Sequence, residues 1–419
     1  MTTVTSSLPR TQRRIIRRKT PLITLGLVLL ILVLLATVQL ITGQNRIVTP
    51  GTLRLALIAA CPILLAGLGG LWSERSGIIN IGLEGQMLLG TWGAAFFAYH
   101  FGPWAGVAGA IGMGALGGLL HALATVTFGV DHIISGVAIN IAGLGAVGYL
   151  AQTFFSNYDG GGPRTLSGYG VPQEITVPGV SDAANWLAEK NWFVVSDVAS
   201  AVAGATTRLS LLTVVALALV PITAWIFWRT SFGLRLRSCG ESPQAAETLG
   251  VNVYRYKYIA VTASGAFAGL GGAYLAMVAA SSFTVNQTNG RGFIGLGAMI
   301  FGNWRPGGVL TSSLLFGYAD GVSILSDNGP LVHGLLLLIA IVLFGYALLK
   351  LRSREKIAAG VVAGIAALFF VWYLLSDSVP SAFTGMTPYV LTLFALAIAT
   401  QRLRAPASLG KSYRRGEAE

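Results

Sequence analysis

Long apolar runs separated by short polar stretches dominate the hydrophobic pattern of the chain. A membrane-spanning helix needs roughly 20 mostly apolar residues, and the first such run, residues 22–41, contains no charged side chain. Further runs occupy residues 51–71, 78–99, 104–128, 133–155, 207–228, 258–280, 309–325, 331–349, 357–375 and 388–400. Residues 293–301 are apolar but too short to span upright, which indicates a half-helix or re-entrant segment. The pattern predicts about ten to twelve membrane segments.

The composition supports this prediction and excludes a soluble multi-domain protein. Hydrophobic residues make up 54% of the chain and charged residues 11%, whereas soluble proteins carry roughly 25% charged residues. Small residues also recur at four-residue spacing, as at Gly114 and Gly118 and again at Gly265 and Gly269. Such spacing lets neighbouring helices approach closely. We therefore predict an all-α fold, a polytopic integral membrane helix bundle that includes broken or short helices.

Positive charges are distributed unevenly over the segments between the apolar runs. Residues 1–21, 229–257, 350–356 and 402–419 together hold twenty of the 28 Lys and Arg residues. Because cytoplasmic segments of membrane proteins are enriched in Lys and Arg, we predict cytoplasmic tails at 1–21 and 402–419 and a transmembrane domain at 22–401. The expected location is the cytoplasmic membrane, crossed many times. The net charge of +12 then follows from topology, without a nucleic-acid partner.

The long segment 156–206 is predicted to lie outside the cell. It is poor in basic residues and contains Trp186 and Trp192 beside polar residues. Tryptophan near polar side chains is typical of a membrane interface. The segment either lies on lipid headgroups or forms a docking surface for an external partner.

A first polar motif interrupts the second and third apolar runs. Residues 72–86 contain a charged turn, the glycines 77, 82 and 85, and the polar side chains Asn80, Glu84 and Gln86. A carboxylate within a span costs about 2.5–3.5 kcal/mol on insertion scales, so it normally faces protein or water. The motif indicates either a discontinuous helix beside a transport path or a polar packing cluster near the cytoplasmic interface. Asn140, Asp320 and His333 are further polar residues within or near spans.

A second motif lies in the cytoplasmic loop predicted at residues 230–257. Ser242 is a good helix N-cap and Pro243 suits the first helical turn. Residues 244–249 favour a helix, and Gly250 supplies a stop. The short helix is either a lever for a cytoplasmic partner or an ordinary amphipathic connector. Of the two cysteines, Cys239 lies in this loop and Cys61 in an apolar run, which gives no disulfide framework.

A third motif, residues 290–308, is a glycine-rich apolar arm that leads through Asn303 into a tight polar turn. Broken helices of this kind often border a transport path. For residues 293–325 we predict a hairpin with a short first arm and no net crossing.

Sequence motifs for catalysis, metal binding or nucleotide binding are weak. Residues 405–412 mimic a phosphate-binding loop, but the first glycine is replaced by Ala405 and no strand precedes the segment, so we reject this match. The four histidines are scattered and imply no metal site. We identify no catalytic grouping, and therefore expect a transport protein without cofactor rather than an enzyme.

The three motifs resemble those of permease subunits of ATP-binding-cassette importers, in the branched-chain amino-acid/simple-sugar group and closest to its nucleoside-type branch. The resemblance covers about residues 50–350 and is carried by three stretches: Ser73-Glu74-Arg75-Ser76-Gly77 with Asn80-Ile81-Gly82-Leu83-Glu84-Gly85; Gly240-Glu241-Ser242-Pro243-Gln244-Ala245-Ala246-Glu247 through Gly250; and Gly290-Arg291-Gly292-Phe293 through Gly302-Asn303-Trp304-Arg305-Pro306. The N-terminal tail, the segment 156–206 and the apolar region after Lys356 depart from the family pattern.

This resemblance implies partners that the chain itself lacks. A second permease subunit, identical or related, would complete the pathway. Two cytoplasmic ATPases would bind ATP, and an external binding lipoprotein would deliver the substrate. The short helix would be the coupling helix, with these residues in the contact with the ATPase: Glu241, Pro243, Ala245, Ala246, Glu247 and Gly250. The side chains expected along the substrate path are Asn80, Glu84, Gln86, Asn140 and Asn303.

Alternative functions remain open at this point. The substrate is either a nucleoside, a simple sugar or a branched-chain amino acid. A secondary transporter or channel would instead use buried charges for ion coupling, with Glu84 and Asp320 as the main candidates. A membrane-embedded enzyme is a third class, for which we identify no catalytic grouping.

Overall fold

The computed structural model describes residues 33–43, 47–190, 192–325, 330–380, 386 and 403–414. The fold is helical, as predicted. The α-helices are α1 Val33–Thr42, α2 Pro50–Arg75, α3 Leu83–Phe101, α4 Pro103–Ala122, α5 His132–Leu150, α6 Val180–Glu189, α7 Val195–Gly204, α8 Leu211–Arg229, α9 Ser231–Glu241, α10 Pro243–Thr248, α11 Val253–Tyr274, α12 Arg291–Phe301, α13 Pro306–Leu325, α14 Pro330–Arg352 and α15 Lys356–Leu375. Helices α4, α5 and α11 each end in a π-helical turn, at Leu123–Thr127, Ala151–Phe155 and Leu275–Ala279.

Seven helices in the described part of the chain are long and apolar enough to cross a membrane: Pro50–Arg75, Pro103–Thr127, His132–Phe155, Leu211–Arg229, Val253–Ala279, His333–Arg352 and Lys356–Leu375. Helices α3 and α13 have 19 and 20 residues and are interrupted by polar side chains. Of the first predicted span, only the part from Val33 onward is described. The predicted run 388–400 lies outside the described residues.

Short β-strands connect the helices at the end of the bundle where α2 begins. Their bounds are β1 Gly161–Gly162, β2 Thr165–Leu166, β3 Glu174–Ile175, β4 Leu209–Ser210 and β5 Phe283–Thr284. The strands pair antiparallel in the order β1-β2-β5, and β3 pairs with β4. Arg54, near the start of α2, donates to the Glu174 carboxylate at 3.1 Å, and Arg208 donates to the same carboxylate at 2.9 Å. The segment 156–206, expected as a loop, therefore contains strands as well as α6 and α7.

The chain forms two compact units. The first contains residues Met1–Leu53, Pro178–Thr206 and Val322–Thr384. Within it, α14 packs along α15, and the His333 ring stacks on Tyr373 with centroids 4.7 Å apart. The helices α6 and α7 pack against each other and line an apolar cavity of about 610 Å³ with residues that include Val180, Leu187 and Val198.

The second unit contains residues Arg54–Val177, Thr207–Gly321 and Gly385–Glu419. Helices α3, α4 and α11 pack closely in it because glycines meet backbone across their contacts. A Cβ added at Gly114 of α4 would lie 2.3 Å from the Gly265 carbonyl oxygen of α11. One added at Gly90 of α3 would lie 2.5 Å from the Gly269 Cα of α11. The predicted packing role of the glycine spacing is confirmed.

One predicted boundary is wrong. Helix α3 begins at Leu83 rather than at residue 78, because residues 76–82 leave the helix. The segment 230–257 contains a helix that was not predicted, α9 at Ser231–Glu241, besides the short helix that was. Cys239 is fully buried on α9, against the expectation of a polar loop position.

The glycine contact between α4 and α11 yields a test with a matched control on the same helix. Gly114→Ala should lower the free energy of unfolding by about 1–3 kcal/mol, since the new methyl group would overlap the backbone of α11. Gly112→Ala should be neutral or stabilising by up to about 1 kcal/mol, because open space surrounds Gly112 and alanine favours helix. Thermal unfolding of the purified variants in detergent measures both. Equal unfolding temperatures would contradict the close contact.

Candidate functional site

The candidate site surrounds a break between α2 and α3. Helix α2 ends at Arg75 and α3 starts at Leu83, so residues 76–82 lie outside both helices. The N–H groups of residues 76–78 bond back to carbonyls in the last turn of α2, and the Gly82 carbonyl accepts from Gln86 N of α3. Gly77 has a φ of +92°, which favours glycine because a side chain would clash with the backbone. A chain that leaves the helix inside an apolar bundle must find other partners for its N–H and C=O groups.

Side chains from the surrounding helices supply these partners. The contacts to the break are Ser73 Oγ to Ile78 O at 2.7 Å, Ile79 N to His132 Nδ1 at 3.3 Å, His121 Nε2 to Ile79 O at 2.9 Å and Asn140 Nδ2 to Ile81 O at 3.0 Å. These side chains come from α2, α4 and α5. The break is therefore a fixed part of the bundle, held on several sides.

Three of the side chains expected on the substrate path stabilise this break. Asn80 and Gln86 are both 0% exposed. The Asn80 amide donates to Gln86 Oε1 at 2.9 Å and to Ser264 Oγ of α11 at 2.9 Å. Asn140 Oδ1 accepts the Gly85 N–H at 2.8 Å, so its amide links the end of the break, at Ile81, to the first turn of α3. Asn80 and Gln86 thus form one hydrogen-bonded group with α11, and a separate pair of bonds from Asn140 ties the end of the break to α5.

Glu84 joins the break to the half-helix α12. Its Oε1 accepts from Gly290 N at 2.8 Å and from Thr288 Oγ1 at 2.5 Å, and its Oε2 accepts from Gly292 N at 2.7 Å. The first N–H groups of a helix lack partners within the helix and carry partial positive charge. The Glu84 carboxylate satisfies both needs at the start of α12. It is buried against protein, as predicted, and not against lipid.

Helix α12 begins near the middle of the bundle. It has 11 residues and is therefore about 16 Å long, roughly half the hydrocarbon thickness. A Cβ on its Gly295 would lie 2.6 Å from the Ala66 side chain and 3.1 Å from the Ile63 carbonyl, halfway along the 26-residue α2. Arg291, in its first turn, pairs with Asp320 of α13 at 2.7 Å. The predicted half-helix and hairpin are confirmed.

The other end of α12 is tied to the end of α2. The Trp304 indole N–H donates to the buried Glu74 carboxylate at 2.6 Å, and Arg75 donates to the Trp304 carbonyl at 2.5 and 3.1 Å. These residues belong to separate sequence motifs, and their pairing was not predicted. Asn303, on the same turn, accepts from Arg404 N at 2.7 Å. It is separated from Glu84 by the length of α12, so the structure does not bring it together with the other predicted path residues.

The expected coupling residues lie on and around α10. This helix spans Pro243–Thr248, follows Ser242 and precedes Gly250, whose φ is +81°. Ala246, expected in the contact with the ATPase, is 1% exposed and packs inside the chain, so its placement on the contact face is corrected. The residues facing outward are Ala245, Thr248 and Leu249, and Leu249 is 83% exposed.

The two acids near α10 contact the chain itself. Glu241 Oε2 accepts from Ala407 N at 3.2 Å, and the Glu247 carboxylate accepts from the Tyr413 hydroxyl. Both acids were expected in the contact with the ATPase. Here they bind the C-terminal segment, which was predicted only as a tail.

Removing the Glu84 carboxylate tests its role at α12. Glu84→Leu leaves three donors without this acceptor, two of them buried, and each buried unsatisfied group costs about 1–3 kcal/mol. We expect a marked loss of thermal stability and of uptake, and a smaller loss for Glu84→Gln, which keeps one acceptor oxygen. Asp159→Leu removes an exposed carboxylate and serves as the control. Wild-type stability and uptake for Glu84→Leu would contradict the capping role.

The sequence of this chain is similar to those of known transport proteins. The profile of the family described as "branched-chain amino acid transport system / permease component" matches residues 52–345. The guanosine ABC transporter permease protein NupQ of Bacillus subtilis is 34% identical over 88% of this chain and 97% of its own length. The nucleoside ABC transporter permease protein NupC of Lactococcus lactis is 33% identical over 85% of this chain and 94% of its own. A putative glucose ABC transporter permease protein of Haloferax volcanii, TsgC13, is 33% identical over 66% of this chain and 78% of its own length. No solved structure gives a significant match. The chain therefore belongs to the family of branched-chain amino acid transport system permease components and is a multi-pass membrane protein.

Proposed function

We propose that the chain is the membrane-spanning subunit of an ATP-driven importer of nucleosides. The observation that carries this proposal is the similarity to two nucleoside-type permeases along more than four fifths of the chain. The part of the chain that aligns with these proteins includes the break, the half-helix and the segment around α10. The chain is a transport subunit, and ATP is bound and hydrolysed by a separate cytoplasmic ATPase.

The charge distribution supports an orientation in the cytoplasmic membrane. The end of the bundle that carries Arg75, α9 and α10 faces the cytoplasm, as does the basic N-terminal tail, because Lys and Arg concentrate in these segments. The strands β1 to β5 then lie at the outer end, where a binding lipoprotein delivers the substrate. A second permease subunit, identical or related, completes the path.

The half-helix and the break give the path a fixed wall. Half-helices whose ends lie at mid-membrane border transport paths in many carriers. Here the N–H groups at the start of α12 bind Glu84, the Ile81 carbonyl of the break binds Asn140, and the Asn80 side chain is held by Gln86. We assign these side chains to holding the wall in position rather than to direct substrate binding.

The same contacts favour an importer subunit over a secondary transporter. Ion coupling needs carboxylates that bind and release a cation or proton within the membrane. Glu84 is occupied by three donors and Asp320 by Arg291 at 2.7 Å. The proposed energy source is therefore the ATPase and not an ion gradient.

Reconstituted uptake tests the substrate class. The chain is reconstituted into proteoliposomes with its ATPase, partner permease and binding lipoprotein. Labelled guanosine should be taken up only when ATP is present on the side of the membrane that carries the ATPase. Unlabelled nucleosides should compete, whereas glucose and leucine should not. Because the chain is also similar to a putative glucose permease, a sugar is the alternative substrate. Competition by glucose, without competition by nucleosides, would favour a sugar as the substrate. Uptake without the ATPase would contradict an ATP-driven importer.

The exposed face of α10 yields a separate test of ATPase docking. Leu249→Asp places a charge on the most exposed apolar side chain beside α10 and should weaken association with the ATPase at least about tenfold, equivalent to about 1.4 kcal/mol. Leu351→Asp alters another exposed leucine next to a basic segment and should leave association unchanged. Co-purification at graded ATPase concentrations measures both. Equal association of the two variants would contradict docking at α10.

A further inference from the structure

The C-terminal segment 403–414 lies along the cytoplasmic end of the second unit and contacts three of its functional elements. At its start, the Arg404 N–H donates to Asn303 on the turn after α12. Farther along, Ser408 N donates to Gly240 O at 2.9 Å, and Ser408 Oγ donates to Glu241 O at 3.0 Å. This is the stretch that mimics a phosphate-binding loop in sequence. Its amides instead bind the end of α9.

The same segment reaches the break between α2 and α3. Gly410 N donates to the Gly77 carbonyl at 3.0 Å. A Cβ at Gly410 would lie 3.0 Å from the Ile79 side chain, so the tail lies directly against the break. Leu409 packs beside it on the cluster that contains Trp72 and Trp304.

Tyr413 anchors the far end of the segment under α10. The residue is 8% exposed, and its hydroxyl donates to the Glu247 carboxylate. Its ring lies 5.6 Å from the Tyr254 ring, and the Lys257 ammonium lies 5.5 Å from its centroid, a favourable cation–π distance. The ring packs on a small buried cluster whose members are Cys239, Ala246 and Val253. It also forms one wall of a cleft of about 280 Å³ beside α10.

A six-residue helix such as α10 does not hold its own orientation. Isolated helices shorter than about 12–15 residues are marginal in water, so tertiary contacts must fix them. In the described part of the chain, the buried face of α10 rests on α9, on the start of α11 and on Tyr413. The tail is thus one of the elements that fix α10, and the same tail binds the break.

We propose that residues 403–414 form a strap that positions α10 for its cytoplasmic partner and links α10 to the break at residues 77–82, with Tyr413 as the positioning residue. Movement of α10 would then be transmitted to Gly77 through a segment of four residues, from Tyr413 to Gly410. The identity of the partner rests on the proposed function, whereas the strap itself does not.

The two natural cysteines provide a reporter and an internal control. Cys239 lies under the strap and is 0% exposed, and burial raises the pKa of its thiol to about 11. Cys61 is buried in α2, away from the tail. Both thiols should therefore react slowly with N-ethylmaleimide in the wild-type chain, and only Cys239 should respond to loss of the strap.

The experiment compares labelling rates in the full-length chain by peptide mass spectrometry. Tyr413→Ala should raise the rate at Cys239 at least about tenfold, because labelling of a buried group follows the population of the open state. Tyr413→Phe keeps the ring and should raise it less. Tyr149→Ala removes an exposed tyrosine of α5 and should change neither cysteine. Labelling at Cys61 should stay at the wild-type rate in every variant.

A transport measurement tests whether the strap positions α10, whereas cysteine labelling tests whether it covers Cys239. In proteoliposomes, Tyr413→Ala should lower the amount of substrate imported per ATP hydrolysed, while the wild type and Tyr149→Ala remain alike. An unchanged Cys239 rate in Tyr413→Ala would overturn the strap. A raised Cys239 rate with unchanged coupling would overturn its positioning role. Failure of the wild-type complex to import nucleosides would contradict the proposed function only, because the cysteine comparison needs no substrate and no ATPase.

Discussion

A polypeptide that leaves the helix inside an apolar bundle exposes N–H and C=O groups that neither lipid nor apolar side chains can satisfy. Residues 76–82 do so between α2 and α3, and the surrounding structure is organised around this requirement. His121 and His132 bind the backbone of Ile79, and Asn140 links the end of the break to the first turn of α3. These polar residues lie within or at the start of otherwise apolar helices, so the break accounts for polar positions on helices that are distant in sequence.

The half-helix α12 depends on the same principle. Its first N–H groups begin at the middle of the bundle and would remain unsatisfied without the Glu84 carboxylate. Its last turn is held by Glu74 and Arg75 through Trp304. Both ends of α12 are therefore fixed to residues that flank the break, and the two irregular elements form one unit. The end of this unit at Glu74 and Trp304 lies close to α9 and α10, because Arg75 approaches Glu241 at 4.0 Å.

The sequence predicted those features that depend on local pattern. Apolar run length predicted the helices, glycine spacing predicted the close approach of α4 and α11, and the short run at 293–301 predicted the half-helix. Features that depend on distant pairs were missed. Glu74 and Trp304 are 230 positions apart, and no local signal joins them. In the same way, a helix of six residues has too few turns to reveal its buried side, so Ala246 was placed outward and Leu249 was overlooked. Helix α9 was missed because its charged, glycine-containing sequence is typical of a loop.

Hydrogen–deuterium exchange of the full chain in lipid nanodiscs tests the central claim most directly. An irregular segment normally exchanges its amides quickly, whereas amides held in a stable core exchange slowly. If side chains hold the break and the start of α12 as described, peptides that cover residues 77–86 and 288–293 should exchange as slowly as those from the middle of α2. Exchange as fast as that of the exposed segment 176–179 would contradict the account, because the break would then be an open loop rather than a fixed wall.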